Sequence, residues 1–296
     1  AVLYMVGFLT LKDLKEFRQL SSVTPGHPEY QVTPGVDMST GPLGQGLATA
    51  VGMAMGEKHL QTKFPNYALI NYYVYCVCGD GDLMEGISYE ATSLAGTLKL
   101  DNLIVLYDSN DTSLDGKTTG TFTEDVRERF DSMGWYTTVV RDGTNPKEID
   151  KAIIRAKKSG LPSLIEVKTI LGDGSLLANS HEAHGKPLTD EDITQLKKKL
   201  GMPQTPFYVD ETALMSFREE VMKRSGDKYI AWQEAYENYI NKECHGDETE
   251  FLKFYNRVIE FANHDKPFIK CETEATRVSN GKVLNFLASK TDLLFG

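Results

Sequence analysis

The chain has 296 residues, 41% hydrophobic and 25% charged, which suits one large or two smaller domains with a substantial core. Its formal net charge of −10 argues against nucleic acid or an anionic membrane surface as partner, since both recruit basic patches. No apolar run reaches membrane-spanning length, and four cysteines without a Cys-x-x-Cys pair suit a reducing, cytoplasmic compartment.

The chain opens at Ala1-Val2-Leu3 in what reads as mid-helix, without a cap. The run Gly41-Pro42-Leu43-Gly44-Gln45-Gly46 then opens a helix rich in small residues, Ala48, Ala50, Gly52, Ala54 and Gly56, which permit close packing on a sheet. Its glycine order is not that of a dinucleotide fingerprint, and no buried strand precedes it. Tyr73 to Cys78 reads as a strand buried on both faces, with Cys76 and Cys78 packed toward one side of it. Leu83, Ile87, Ala91, Leu94 and Leu98 follow at helical spacing, and Leu103 to Tyr107 is a second strand. A helix starts at Asn145-Pro146, with Glu148 placed for a capping box and a stripe of Ile149, Ala152, Ile153 and Ala156. Leu164 to Thr169 is a third strand. Strand, helix and strand in succession give an α/β fold with a parallel sheet flanked by helices.

Pro203 to Asp210 reads as a linker, and Glu211 to about Asn263 as polar amphipathic helices, with Trp232, Ala235 and Tyr239 in one and Phe251, Phe254, Val258 and Phe261 in another. A last helix runs through Val283, Phe286 and Leu287, and the chain stops at Leu293-Leu294-Phe295, where a further strand is expected. Both ends read as cut. The expected organisation is a diphosphate-binding domain over 1–202, a mostly helical connector over 203–271, and the beginning of a second α/β domain over 272–296.

Gly79-Asp80-Gly81 stands at the end of the first strand, where open α/β sheets bind ligands. Glycines there let the backbone approach a phosphate, and a following helix start offers free N–H groups. Asn110 follows Asp80 by thirty residues, and a strand–helix–strand unit consumes roughly thirty, so the crossover returns Asn110 to the side of Asp80. One carboxylate and one amide oxygen are a sparse set, which suits a magnesium ion that also takes water and phosphate oxygens. A second Gly-Asp-Gly, at Gly172 to Gly174, has no helix after it and no strand ending in Asn thirty residues on. Asp173 therefore reads as a surface loop residue.

The stretch Gly79 to Ala91, with Tyr107-Asp108-Ser109-Asn110, resembles the thiamine-diphosphate motif of transketolases. Three further segments agree in the family's order: Thr24-Pro25-Gly26-His27-Pro28-Glu29, Thr40 to Gly46, and Ser180-His181-Glu182-Ala183-His184-Gly185. The resemblance implies that Asp80 and Asn110 bind magnesium through side chains and Thr112 through its carbonyl, with Ca2+ or Mn2+ as substitutes. It implies Gly79 and Gly81 against the diphosphate, and Gly41, Pro42 and Leu43 along the aminopyrimidine ring. His27 is then a substrate contact, His181 lies between diphosphate and substrate, and Glu85 couples the two active sites of a homodimer. His59, His245 and His264 read as surface residues.

The implied reaction moves a two-carbon ketol unit from a ketose phosphate to an aldose phosphate, a step of the pentose phosphate pathway. Ser109 departs from a signature that often carries asparagine there. Two family histidines would lie upstream of Ala1, and a downstream pyrimidine-binding domain would supply the glutamate that activates the cofactor, so the chain alone is expected to be inactive. Phosphoketolase, deoxyxylulose-phosphate synthase and a non-catalytic interaction domain are the competing readings. Thr24 to Glu29 and Glu85 to Ser88 favour transketolase, and Asp80, Asn110, His27 and His181 stand against the last.

Overall fold

The computed structural model describes residues 1–65, 69–113, 116–243, 249–263 and 273–290. Cys244, His245, His264, Cys271 and Leu293-Leu294-Phe295 lie outside the described residues, as do the side chains of Val258 and Phe261. The chain divides into two compact units, Ala1–Trp232 and Gln233–Gly296.

The first unit begins with two short helices, α1 (Val2–Met5) and α2 (Leu11–Lys15), followed by the long helix α3 (Gln45–Lys63). The chain then runs through β1 (Val74–Gly79), α4 (Asp80–Met84), α5 (Gly86–Thr97) and β2 (Leu103–Ser109). A small antiparallel hairpin, β3 (Thr112–Ser113) and β4 (Gly116–Lys117), precedes α6 (Val126–Ser132), β5 (Tyr136–Val140), α7 (Pro146–Ala156), β6 (Ser163–Lys168) and α8 (Asp190–Lys199). Helix α9 (Glu211–Glu243) crosses the division between units, and the second unit adds α10 (Glu250–Asn263) and α11 (Thr276–Ala288). Four parallel strands form one sheet in the order β1-β2-β6-β5.

The α/β reading holds, with one strand of the main sheet unforeseen and one misjudged. β5 is a Thr-rich strand, Tyr136-Thr137-Thr138-Val139-Val140, at one edge of the sheet. β1 is the other edge, and only one of its faces is covered: Val74, Cys76 and Cys78 are buried, while Tyr75 and Val77 are exposed. Cys76 and Cys78 do pack into the core as free thiols. Burial pushes the Cys76 thiol up to about 11 and Cys78 well above the ordinary thiol range, so neither is a thiolate nucleophile at neutral pH.

The helix after β1 also departs from its apolar stripe. It breaks at Glu85 into α4 and α5, and although Leu83 is buried, Ile87, Leu94 and Leu98 are exposed. α5 packs instead through Ser88, Thr92, Ala95 and Gly96, whose small side chains bring the helix close to its neighbours. At Gly96 a Cβ would fall 1.8 Å from the Met133 carbonyl oxygen, so only glycine fits. Trp135 locks the same junction by donating its indole N–H to Thr92 O at 2.8 Å and packing edge-on against Phe130.

α3 lies on the sheet through Leu47, Ala50, Val51 and Ala54; of its run of small residues only Ala50 and Ala54 are buried, while Gly52 and Gly56 face open space. Its inner end carries Glu57, only 1% exposed, which accepts the Asn102 amide at 3.1 Å. His59 on the same helix is half-buried, not a surface residue. Asn145 caps α7 by accepting the Lys147 N–H rather than through a box with Glu148. In the second unit Tyr239 and Phe254 are buried, and the Phe251 N–H donates to the Tyr239 hydroxyl.

Candidate cofactor site

The site is built at the carboxyl ends of β1 and β2. Their parallel register pairs Gly79 with Asp108, so Asp80 and Asn110 each lie just beyond neighbouring strand ends. Asp80 is 4% exposed. Its Oδ1 accepts the Tyr107 hydroxyl at 2.5 Å, whereas its Oδ2 is buried without any hydrogen-bond partner. Burial raises the Asp80 pKa and the Asp111 and Asp108 charges add to it, while the Tyr107 hydroxyl and, more weakly, the Asn110 backbone N–H oppose it. Burial and the bond to Asp80 raise the Tyr107 phenol as well, so it stays a neutral donor.

A buried carboxylate oxygen without a donor is costly unless a cation completes it. Asn110 is pre-formed beside it: its Oδ1 accepts the Thr112 N–H at 3.1 Å, and its Nδ2 donates to Asp108 Oδ2 at 3.3 Å. The left-handed backbone at Asp111 turns the chain back, and the Thr112 hydroxyl donates to Asn110 O at 3.1 Å. Among the described residues no group of three or more His, Cys, Asp or Glu side chains could hold a metal ion. A cation here would therefore draw on Asp80, on amide and carbonyl oxygens, and on its ligand's own oxygens, a set that fits magnesium with a diphosphate.

The second wall comes from the loop before α3. Gly44 has φ +78, and a Cβ there would meet Glu85 Cβ and Ile87 Cγ2 at 2.9 Å. This contact brings exposed Glu85 to the foot of the loop. Leu43 reaches across to Gly81, where a Cβ would lie 3.3 Å from its Cδ1. Gly41 faces the His27 ring, 3.4 Å from where its Cβ would be, and Pro42 is exposed between Gly41 and Leu43. His27, Gly41, Leu43, Gly81 and Glu85 thus follow one another along the two walls.

His181 stands apart from that chain of contacts. It opens a short 3-10 turn, His181–Ala183, on an exposed loop. The loop is tied to the metal side by Lys117, which donates to Asn179 Oδ1 and, at 3.4 Å, to the Thr112 hydroxyl. The second Gly-Asp-Gly behaves as expected: Gly172 and Gly174 have positive φ, and Asp173 is exposed in a turn.

Tyr107, Asp82 and Lys117 are the site residues that sequence reasoning missed. Asp82 accepts the backbone N–H of both Gly44 and Gly79. A phenol at the end of a strand next to a buried aspartate was a legible signal, whereas Lys117 had none.

Two glycine-bearing walls facing a buried aspartate at the carboxyl ends of parallel strands define a phosphate-cofactor-binding α/β domain. The sequence model described as "Transketolase, thiamine diphosphate binding domain" matches residues 1–257. The chain belongs to the transketolase family, of which it carries the thiamine-diphosphate-binding domain. It is 43% identical over 305 residues to the probable transketolase of Streptococcus pneumoniae, covering all of this chain and 46% of that protein. It is 44% identical over 312 residues to the transketolase of Aquifex aeolicus, again covering all of this chain and 43% of that protein. Among solved structures, the Leishmania mexicana transketolase superposes with a TM-score of 0.78 at 44% identity, over 81% of this chain and 37% of that one. The Campylobacter jejuni transketolase gives 0.81 at 41% identity, over 97% and 44%. The chain thus spans less than half the length of these relatives. No helix among the described residues is long and apolar enough to cross a membrane.

Proposed function

We propose that this chain is the diphosphate- and metal-binding half of a cytoplasmic transketolase, which moves a two-carbon ketol unit from a ketose phosphate to an aldose phosphate. The observation that carries the reading is the buried, unpartnered Oδ2 of Asp80, set beside Asn110 by the register of β1 and β2. Asp80, the Asn110 side chain and the Thr112 carbonyl would hold Mg2+, and Gly79 and Gly81 would let the diphosphate approach the backbone. Three carboxylates, Asp80, Asp108 and Asp111, crowd these strand ends, so a diphosphate needs a cation between itself and them. When bound, thiamine diphosphate supplies the carbon nucleophile of ketol transfer.

The remaining work belongs to the protein. Tyr107 fixes the Asp80 carboxylate in one orientation. Leu43 offers an apolar surface to the aminopyrimidine ring, with Gly41 and Pro42 beside it. His27, exposed next to Gly41, would hydrogen-bond the sugar near its reacting carbon, and His181 would do so from the diphosphate side. Exposed Ile87, Leu94 and Leu98 on α5, next to exposed Glu85, support a homodimer in which that face meets a second copy.

The test is ketol transfer between sugar phosphates by the full-length protein, compared with Asp80→Ala and Asn110→Ala. Both variants should fold, fail to retain thiamine diphosphate and lose activity. Undiminished transfer by Asp80→Ala would overturn the reading.

A further inference from the structure

Asp82 has no part in the chemistry above, yet its carboxylate spans both walls of the cleft. Oδ1 accepts the Gly44 N–H at 3.0 Å, and Oδ2 accepts the Gly79 N–H at 2.9 Å. Gly44 closes the loop that carries Gly41, Pro42 and Leu43, 38 residues away in sequence. Gly79 ends β1 and opens the Gly79-Asp80-Gly81 turn. One rigid side chain therefore ties the loop to the turn. Asp82 is itself held in place, because its carbonyl accepts the hydroxyl of Ser88, a residue 1% exposed on α5, at 2.5 Å.

The packing around this tie leaves little slack. Any Cβ at Gly44 would strike Glu85, Ile87 and Ser88 within 3.0 Å, and Leu43 already touches the open side of Gly81. The Gly79 bond alone would close the first turn of α4 as an ordinary cap. The Gly44 bond has no such local explanation. A carboxylate is also the side chain the geometry calls for, since it offers two acceptors to two N–H donors in one plane, where asparagine would turn a donor toward one of them.

We infer that Asp82 is a positioning residue: it sets the spacing between the aminopyrimidine wall and the diphosphate turn, so that one thiamine diphosphate is gripped at both ends together. This rests on the reading of the cleft given above. It predicts a coupling that a purely structural cap would lack. Losing Asp82 should weaken a ligand that touches both walls far more than one that touches only the turn.

The experiment is calorimetric titration of the full-length protein and its Asp82→Ala variant, in saturating Mg2+, with thiamine diphosphate and separately with inorganic pyrophosphate. Asp82→Ala should bind thiamine diphosphate about 10- to 100-fold more weakly, with less than about threefold change for pyrophosphate. Asp82→Asn, which turns a donor toward one of the two N–H groups, should show the same preferential loss of thiamine diphosphate, and it carries the comparison if the alanine variant does not fold. Equal losses for the two ligands would reduce Asp82 to a shaper of the turn, and unchanged affinities would make the tie idle; either result overturns the inference. Parent protein that binds neither ligand would overturn the reading of the cleft itself, and this inference with it.

Discussion

The Tyr107 hydroxyl donates to one oxygen of the Asp80 carboxylate at 2.5 Å and leaves the other oxygen buried and bare. The two residues stand 27 positions apart and meet because β1 and β2 run side by side. A partner that orients a metal ligand commonly governs affinity by about 10- to 100-fold. Tyr107→Phe should therefore weaken magnesium-dependent thiamine-diphosphate binding by about that factor while leaving the circular-dichroism spectrum unchanged. Unaltered affinity would mean that Asp80 needs no support.

Gly44 combines a left-handed backbone with near contact to α5. Gly44→Ala should cost about 2–4 kcal/mol, adding the left-handed penalty to overpacking against Glu85 and Ile87. Urea denaturation measures it, and a loss under about 0.5 kcal/mol would show that the loop yields freely.

Glu57 gives a pH signature away from the cleft. Burial raises its pKa above the ordinary glutamate value, with Lys58 opposing and Asp101 adding to the rise. A raised acid pKa in the folded state contributes stability that is fully present below the unfolded value, near 4.5, and is lost as pH climbs through the raised value. Glu57→Gln removes that loss and keeps an acceptor for Asn102. The stability difference should move in favour of the variant as pH rises from about 4 to 7 in parallel urea titrations. Two curves that stay parallel would contradict the assignment.

What the sequence made legible follows from how local each signal is. β1, β2 and β6 stand out as apolar runs, and the glycines and Asp80 after β1, with Asn110 one crossover later, mark the ligand end of the sheet. β5 was hidden because Thr137 and Thr138 break its apolar pattern. The stripe of Ile87, Leu94 and Leu98 pointed to the wrong face, since α5 buries its small residues instead. The burial of β1 was overestimated because its composition does not reveal that the face carrying Tyr75 and Val77 is left uncovered. Asp82 and Lys117 act across 38 and 62 residues, and such contacts exist only once the chain is folded.

His27 stands exposed against Gly41. His27→Ala should lower ketol-transfer turnover by about 10²- to 10⁴-fold with thiamine-diphosphate affinity nearly unchanged. Steady-state kinetics and cofactor titration on the same preparation separate the two. Loss of cofactor binding with intact turnover at saturation would reverse the assignment.

The most direct test of the cofactor site is titration of thiamine diphosphate into parent protein and Asp80→Ala, each with and without Mg2+. Because a cation held by Asp80 and a few neutral oxygens still draws on the diphosphate's own oxygens, metal and cofactor should bind together and each weakly alone. The expected result is tight binding by the parent only when Mg2+ is present, and no magnesium enhancement in Asp80→Ala. Equal magnesium-dependent affinity in the two proteins would contradict the role given to Asp80.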